Sequence, residues 1–273
     1  PNFNTRDMAE YNTSEFSDFL FDVATQENFV LTQKKLSEAK RKRNHLIQLL
    51  RNKIEAEGIT LFSESDQEAF SRHGSAYQRL TLKKINDIDI YVVLNGTGLN
   101  WENFPLAGTS KKQHPHLQSF LLSTQIAIDW MYKIVCKIIT DQHKIEKTKR
   151  DMQFFLELGS NFPRDTKQKI LGFRDIVKML KFSGQKLDWE ETNGITSFII
   201  RFATAAVFRQ EPRGPSHSNQ KTLERVVEQL NSWIEQKSFK DPYSDEYHQL
   251  KGNNIDTETV TEIYISLSKD RPF

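Results

Sequence analysis

The sequence has one cysteine in 273 residues, Cys136. A lone thiol excludes an internal disulfide framework and any metal site built from several cysteines. Its setting, "YKIVCKII", reads as apolar helix, with the thiol as a small core residue. No apolar run approaches the roughly 20 residues of a membrane helix, so no membrane role is expected. The first residues, "PNFNTRDMAEYNTSEF", have none of the basic-then-apolar pattern of a secretion signal. Cytoplasm is the compartment these absences imply. Nor does one charge dominate: the net is +2, which argues against wholesale coating of nucleic acid and leaves a local basic groove open. What is present, 27% charged and 37% apolar residues, suits a globular chain long enough for one large domain or two modest lobes.

Most of the chain reads as helix. Asn12 to Ala24 starts with "NTSE", a capping-box pattern, followed by Phe16, Phe19, Leu20 and Val23 at helical spacing. A longer helix is expected from Glu27 to Glu57, with Leu36, Leu46, Leu50 and Ile54 on its apolar stripe. Its basic run, Lys40 to Arg43, reads first as a solvated face and second as a nucleic-acid contact. The texture changes at Ile59. "DIDIYVVL" is the clearest strand, β-branched and continuous, and therefore expected to be buried on both faces. From Leu117 to Leu158 the periodicity reads as helix throughout, with a break in character from apolar to charged at Asp141 to His143. Helices are again expected in "DTKQKILGFRDIVKMLKF", "GITSFIIRFATAAVF", "TLERVVEQLNSWIEQ" and "DTETVTEIYISLSK", and a turn in "FKDPYSDEY". His114 and His116 flank a proline in a long polar loop and lack the third ligand a metal would need.

The stretch that carries chemistry runs from Gly74 to Leu94. Asp87 and Asp89 stand two apart on the expected strand and so share one face. Like charges this close are unfavourable unless a cation or a donor lies between them. Paired acidic oxygens suit Mg²⁺, with water and substrate phosphates completing its shell. Upstream, Gly74 and Ser75 precede a short helix expected over Ala76 to Leu82. Glycine admits a phosphate to the backbone, and a helix N-terminus offers free N–H donors. The plain alternative is a polar loop and a strand opened by two aspartates.

The order Gly-Ser, short helix, Asp-x-Asp strand resembles the polymerase-β-like nucleotidyltransferases. Within them it is most similar to the group of oligoadenylate synthetases, animal cyclic GMP-AMP synthase and bacterial cyclic-oligonucleotide synthases (CD-NTases). The resemblance implies that Gly74 and Ser75 hold the donor phosphates and that Asp87 and Asp89 hold Mg²⁺ or Mn²⁺. "FRDIVKMLKF" resembles the helix whose lysine reaches the triphosphate, here Lys178. "ITSFIIRF" resembles the next helix, where Ser197 would contact the triphosphate and Phe198 stack on a base. "FKDPYSDEY" resembles the Asp-Pro turn near the C-terminus of these enzymes. The Gly-Thr that often follows Gly-Ser is replaced by Arg79-Leu80.

The implied fold is α+β and two-lobed. Residues 1–142 would form a small mixed sheet with an N-terminal spine helix, and residues 143–273 a helical lobe. The implied function is the joining of nucleoside triphosphates, ATP among them, into a cyclic di- or oligonucleotide messenger of antiphage type. Regulatory protein partners would go with it. The alternatives are an RNA-tailing transferase, with Lys40 to Arg43 as its acceptor groove, and an inactive nucleotide-binding scaffold. The family pattern also needs a third carboxylate on a later strand. With no strand expected between Leu117 and Leu158, a segment bearing two or three strands is expected to be missing near residues 141–143, and Asp141 and Asp151 are the fallback carboxylates.

Overall fold

A computed structural model describes residues 13–25, 33–56, 61, 63–65, 69–73, 78–80, 87–93, 133–139, 142–210, 218–242, 246–250 and 259–268. The chain divides into two compact units, Leu31–Gln153 and a unit made of Pro1–Val30 with Phe154–Phe273.

The Leu31–Gln153 unit is built on a long helix and a sheet. Helix α1 (Thr13–Thr25) belongs to the other unit; helix α2 (Gln33–Ala56) begins this one. Ile47, Leu50 and Ile54 recur at spacings of three and four and are buried, while Lys40 and Arg41 are exposed. Arg51 ties α2 to the sheet: its Nη2 donates to the Glu64 carbonyl at 2.9 Å, and its guanidinium lies 5.6 Å from the Phe70 ring centroid. Three strands follow, β1 (Phe70–His73), β2 (Asp87–Val93) and β3 (Lys133–Ile139). Their order is β1-β2-β3, with β2 antiparallel to β1 and parallel to β3, a mixed sheet as expected.

Three expectations are corrected here. The stretch around Cys136 is a strand, not a helix. Lys133 and Lys137 stand four apart, an even number, so they share a face in a strand as they would on a helix; periodicity cannot separate the two. The β-branched residues Ile134, Val135, Ile138 and Ile139 favour the strand. With β3 present the sheet has its three strands, and helix α3 (Gln142–Asn161) starts three residues after β3 ends, so no missing segment near residues 141–143 is needed to build it. The character break at Asp141 to His143 is the step from strand to helix. Finally, the helix expected over residues 76–82 is not continuous: Gln78 and Arg79 form a turn, with Arg79 at φ 60°.

The second unit packs α1, the later part of α3 and helices α4 (Phe173–Lys186), α5 (Trp189–Thr192), α6 (Ser197–Gln210), α7 (Asn219–Glu235) and α8 (Thr259–Ser268) around an aromatic core. Strands β4 (Ser238–Lys240) and β5 (Tyr247–Gln249) form an antiparallel hairpin about Asp241 and Pro242, where the turn was expected. Phe155 stacks near Phe173 and meets Phe202 edge-on at 5.3 Å, and Phe173 meets Phe208 at 5.7 Å. Helix α4 starts later than the periodicity implied. Ile170 and Leu171 precede it, in a tight loop closed by paired hydrogen bonds between Asp165 and Ile170.

Two polar hubs hold this loop. Arg164 makes a two-pronged bond to Asp175, at 2.5 and 3.0 Å, and donates to the Ala24 carbonyl of α1 at 2.9 Å. That hydrogen bond and the carboxylate charge raise the proton affinity of Arg164 further, outweighing burial. Asn219 is buried and fully used: its Oδ1 accepts from Leu171 N at 2.8 Å, and its Nδ2 donates to the carbonyls of Ser17 at 3.0 Å and Lys169 at 2.8 Å. Asn219→Ala strands a buried N–H and two carbonyls, and should cost about 2–4 kcal/mol of stability, read as a lowered urea midpoint with unchanged slope.

Candidate nucleotide-binding site

Strand register decides what the sheet can present. In an antiparallel or parallel pair, residues opposite each other lie on the same face. His73 pairs with Asp89, Ser71 with Tyr91, Asp87 with Lys133, and Tyr91 with Lys137. One face therefore carries Asp87, Asp89, His73 and Ser71 beside Lys133 and Lys137. The other face carries Phe70, Ile88, Ile90, Ile134 and Cys136, along with Arg72. At its start β2 alternates aspartate with isoleucine, so the two carboxylates share a face and the two isoleucines share the other. Asp87 and Asp89 are brought together by backbone position alone, and the pleat makes the pair robust: a one-residue slip would carry both to the apolar face. Gly74 and Ser75 follow His73 directly in the chain and lie outside the described residues.

The same register bears on the third carboxylate. No residue of β3, on either face, is acidic. Its last residue, Ile139, pairs with Val93, six residues along β2 from Asp87, or roughly 20 Å at strand rise. Asp141 follows that distant end in the chain and lies outside the described residues, and Asp151 sits half-buried within α3. The near end of β3 is Lys133, opposite Asp87, and the acidic residue closest before it is Asp129, in "QIAIDWMYK". Asp129 also lies outside the described residues. Sequence reasoning passed over it because the segment was read as helix; an apolar-Asp-apolar run leading into a β-branched strand was the available signal.

The other expected residues lie in the helical unit. Lys178 is on α4, which packs against α6, where Ser197 and Phe198 occupy the first turn. Arg174, Lys178 and Lys181, spaced four and three apart, form one half-buried cationic stripe on α4. Burial lowers the proton affinity of Lys178; Asp175 opposes the shift, and Arg164 and Arg174 reinforce it. Gly159 makes room for Arg174: a Cβ there would collide with the guanidinium.

Ser197 is exposed, and Phe198 is 38% exposed although it is a large apolar side chain. Beneath and beside Phe198 lies an aromatic cluster. Its ring is 4.4 Å from Phe202, 5.6 Å from His248 and 6.4 Å from Phe239. Arg201 lies across three rings, 4.3 Å from Phe155, 5.5 Å from Phe198 and 5.6 Å from Phe202. Stacked guanidinium and aromatic faces attract, and the arrangement holds a cation next to the exposed ring. Sequence reasoning did not single out Arg201, though it stands three residues from Phe198 on the same helix face.

Among the described residues, Asp241, Glu246 and His248 could also offer ligand atoms to a metal, all within 4.8 Å of one another. The buried Asp241 already pairs with His248, Oδ1 to Nε2 at 2.7 Å, and Glu246 is exposed. Among the described residues, no helix is long and apolar enough to cross a membrane.

No protein-family model and no curated protein matches the chain. Solved structures do. The structure of E. coli MS115-1 CdnC with ATP aligns over 92% of this chain and 88% of its own, with TM-score 0.57 and 12% identity. The Bradyrhizobium diazoefficiens CD-NTase CdnG in complex with GTP aligns over 92% and 89%, with TM-score 0.54 and 12% identity. The E. coli MS115-1 CdnC:HORMA-deltaN complex aligns over 87% and 83%, with TM-score 0.54 and 13% identity. The chain has the two-lobed nucleotidyltransferase fold of the CD-NTases.

The depressed proton affinity of Lys178 has a consequence for stability. Its folded pKa lies below the ordinary 10.5, so between the two values the unfolded chain binds more protons and stability rises with pH. Lys178→Met should raise the urea midpoint at pH 7 and remove that part of the alkaline rise; a variant less stable than wild type at pH 7 would contradict this.

Proposed function

We propose that the chain is a nucleotidyltransferase that joins nucleoside triphosphates into a cyclic di- or oligonucleotide. The observation that carries this is the register that sets Asp87 and Asp89 on one face of a three-stranded mixed sheet, within the CD-NTase fold. Structures of this fold have been solved with ATP and with GTP, which supports triphosphates as substrates. The donor set fits a hard divalent cation: two carboxylates on one face of a strand are what Mg²⁺ or Mn²⁺ takes. Asp87 and Asp89 would hold it, and its charge would offset that of the triphosphate and of the oxygens between which the phosphoryl group passes.

The remaining work belongs to the chain's own groups. Gly74 and Ser75 hold the donor phosphates, with a hydroxyl and backbone N–H donors. Lys178 and Ser197 contact the triphosphate, and Arg174 and Lys181 extend the cationic stripe. Phe198 stacks on a base. Asp129 takes the role of third carboxylate and accepts the proton of the attacking hydroxyl. Catalysis is then positioning and charge neutralisation rather than covalent chemistry. A regulatory protein partner is part of the proposal, by analogy with the CdnC:HORMA complex.

A second reading has its own support. On the face that holds the aspartates, β3 carries Lys133, Val135 and Lys137. A lysine opposite Asp87 would suit a scaffold that binds triphosphates without turning them over.

Labelled triphosphates incubated with the protein and Mg²⁺ or Mn²⁺ separate the readings. Phosphatase-resistant labelled products are expected, and Asp87→Ala with Asp89→Ala should abolish them. Asp129→Asn should lower the rate by about 10³-fold or more while triphosphate binding persists, as for loss of a group acting at the reacting centre. Products that survive the double aspartate variant would sink the assignment. Tight binding with no product would favour the scaffold.

A further inference from the structure

His248 is held on two sides, by an aromatic ring and by a carboxylate. It lies on β5 directly opposite Phe239 of β4 and stacks on that ring at 4.8 Å and 22°. Phe239 in turn stacks on Trp233 at 4.5 Å and 18°. The column Trp233–Phe239–His248 fixes the plane of the imidazole. The buried carboxylate of Asp241 fixes its rotation, with Nε2 and Oδ1 2.7 Å apart. A carboxylate accepts and does not donate, so the proton of the pair is on Nε2. In the neutral ring Nδ1 is then an acceptor. Among the described residues Nδ1 has no hydrogen-bond partner, and the side chain keeps 29% of its exposure. The imidazole therefore has its tautomer and orientation set, and one polar atom left unused.

That ring stands at 74° to Phe198, with centroids 5.6 Å apart. Two nearly perpendicular rings make a corner. A base lying flat on Phe198 would turn an edge towards His248. An acceptor at that edge pairs with an exocyclic amine and opposes a carbonyl oxygen; adenine carries N6–H₂ where guanine carries O6. We infer that His248 is a specificity-determining residue, reading the amino edge of an adenine stacked on Phe198, with Asp241 as the residue that positions it. The inference rests on the proposed stacking role of Phe198 and adds the identity of the base and the residue that selects it.

The test measures Kd for ATP, GTP and purine riboside triphosphate, which has hydrogen in place of the N6 amine. On the wild-type protein ATP should bind about tenfold more tightly than purine riboside triphosphate, the worth of one hydrogen bond. His248→Phe keeps an aromatic ring on Phe239 but has no acceptor. It should weaken ATP by a similar factor and leave GTP unchanged or tighter. Phe198→Ala should weaken ATP and GTP together. Equal wild-type affinity for ATP and purine riboside triphosphate overturns the role of His248, and does so even if His248→Phe fails to fold. If Phe198→Ala leaves both nucleotides unaffected, the stacking reading itself has failed. If it weakens both while His248→Phe weakens neither, the platform stands and its reader is another residue.

Discussion

The bonding of β2 along both of its edges is the constraint on which the candidate site depends. An edge strand can slip; a strand paired with β1 on one side and β3 on the other cannot, because either ladder would lose its hydrogen bonds. That double pairing keeps Asp87 and Asp89 on one face against their mutual repulsion. It also puts basic positions, Lys133 and Lys137, on the neighbouring strand of the same face. Alternation along a few residues thus separates the face that holds both aspartates from the one that holds Ile88 and Ile90.

The helical unit handles charge differently. Its cations are set among apolar and aromatic groups instead of being spaced by a ladder. Arg201 lies across three phenylalanines, and the Arg174 guanidinium occupies the space a side chain at Gly159 would take. Lys178 stands half-buried between a carboxylate and two guanidinium groups. Buried ionic groups of this kind cost stability, since desolvation is not fully repaid by their partners. Groups held at such a cost are candidates for action on a ligand. Arg164 and Asn219 are the counterweight. Both are hydrogen-bonded on more than one side, and both tie α1 to elements far away in the chain.

Much of this was legible in the residues. The helices α1, α2, α6 and α7 follow from apolar spacing, and β2 from its composition. The Asp-x-Asp pair could be placed because a strand has a period of two. What escaped was β3, and for a definable reason. Its lysines are four apart, which satisfies helix and strand alike, so the evidence lay in β-branching, a weaker signal. That one misreading suggested a missing segment and hid Asp129. The start of α4 was also misplaced: Ile170 and Leu171 fit its apolar stripe, yet a loop closed by Asp165 and held by Asn219 outcompetes helix there. His248 and its partners could not be found by spacing at all. Their meeting with Phe198 depends on the docking of a hairpin against a helix well before it in the chain.

The division of the chain has a consequence for how it is made. Helix α1 belongs to the unit that includes everything after Gln153, so the sheet-bearing unit is an insertion within another. The Asn219 amide that donates to the Ser17 carbonyl is 202 positions later in the sequence. On a ribosome adding about 5–20 residues per second, α1 waits roughly 10–40 s for that partner. During this time the inserted unit can form its own mixed sheet, while α1 still lacks α7, the helix it packs against. The sheet with its aspartates can therefore be complete before the cations of α4 and the aromatic corner of α6 are assembled. Nascent chains would carry the two aspartates on a formed sheet before the second unit is closed.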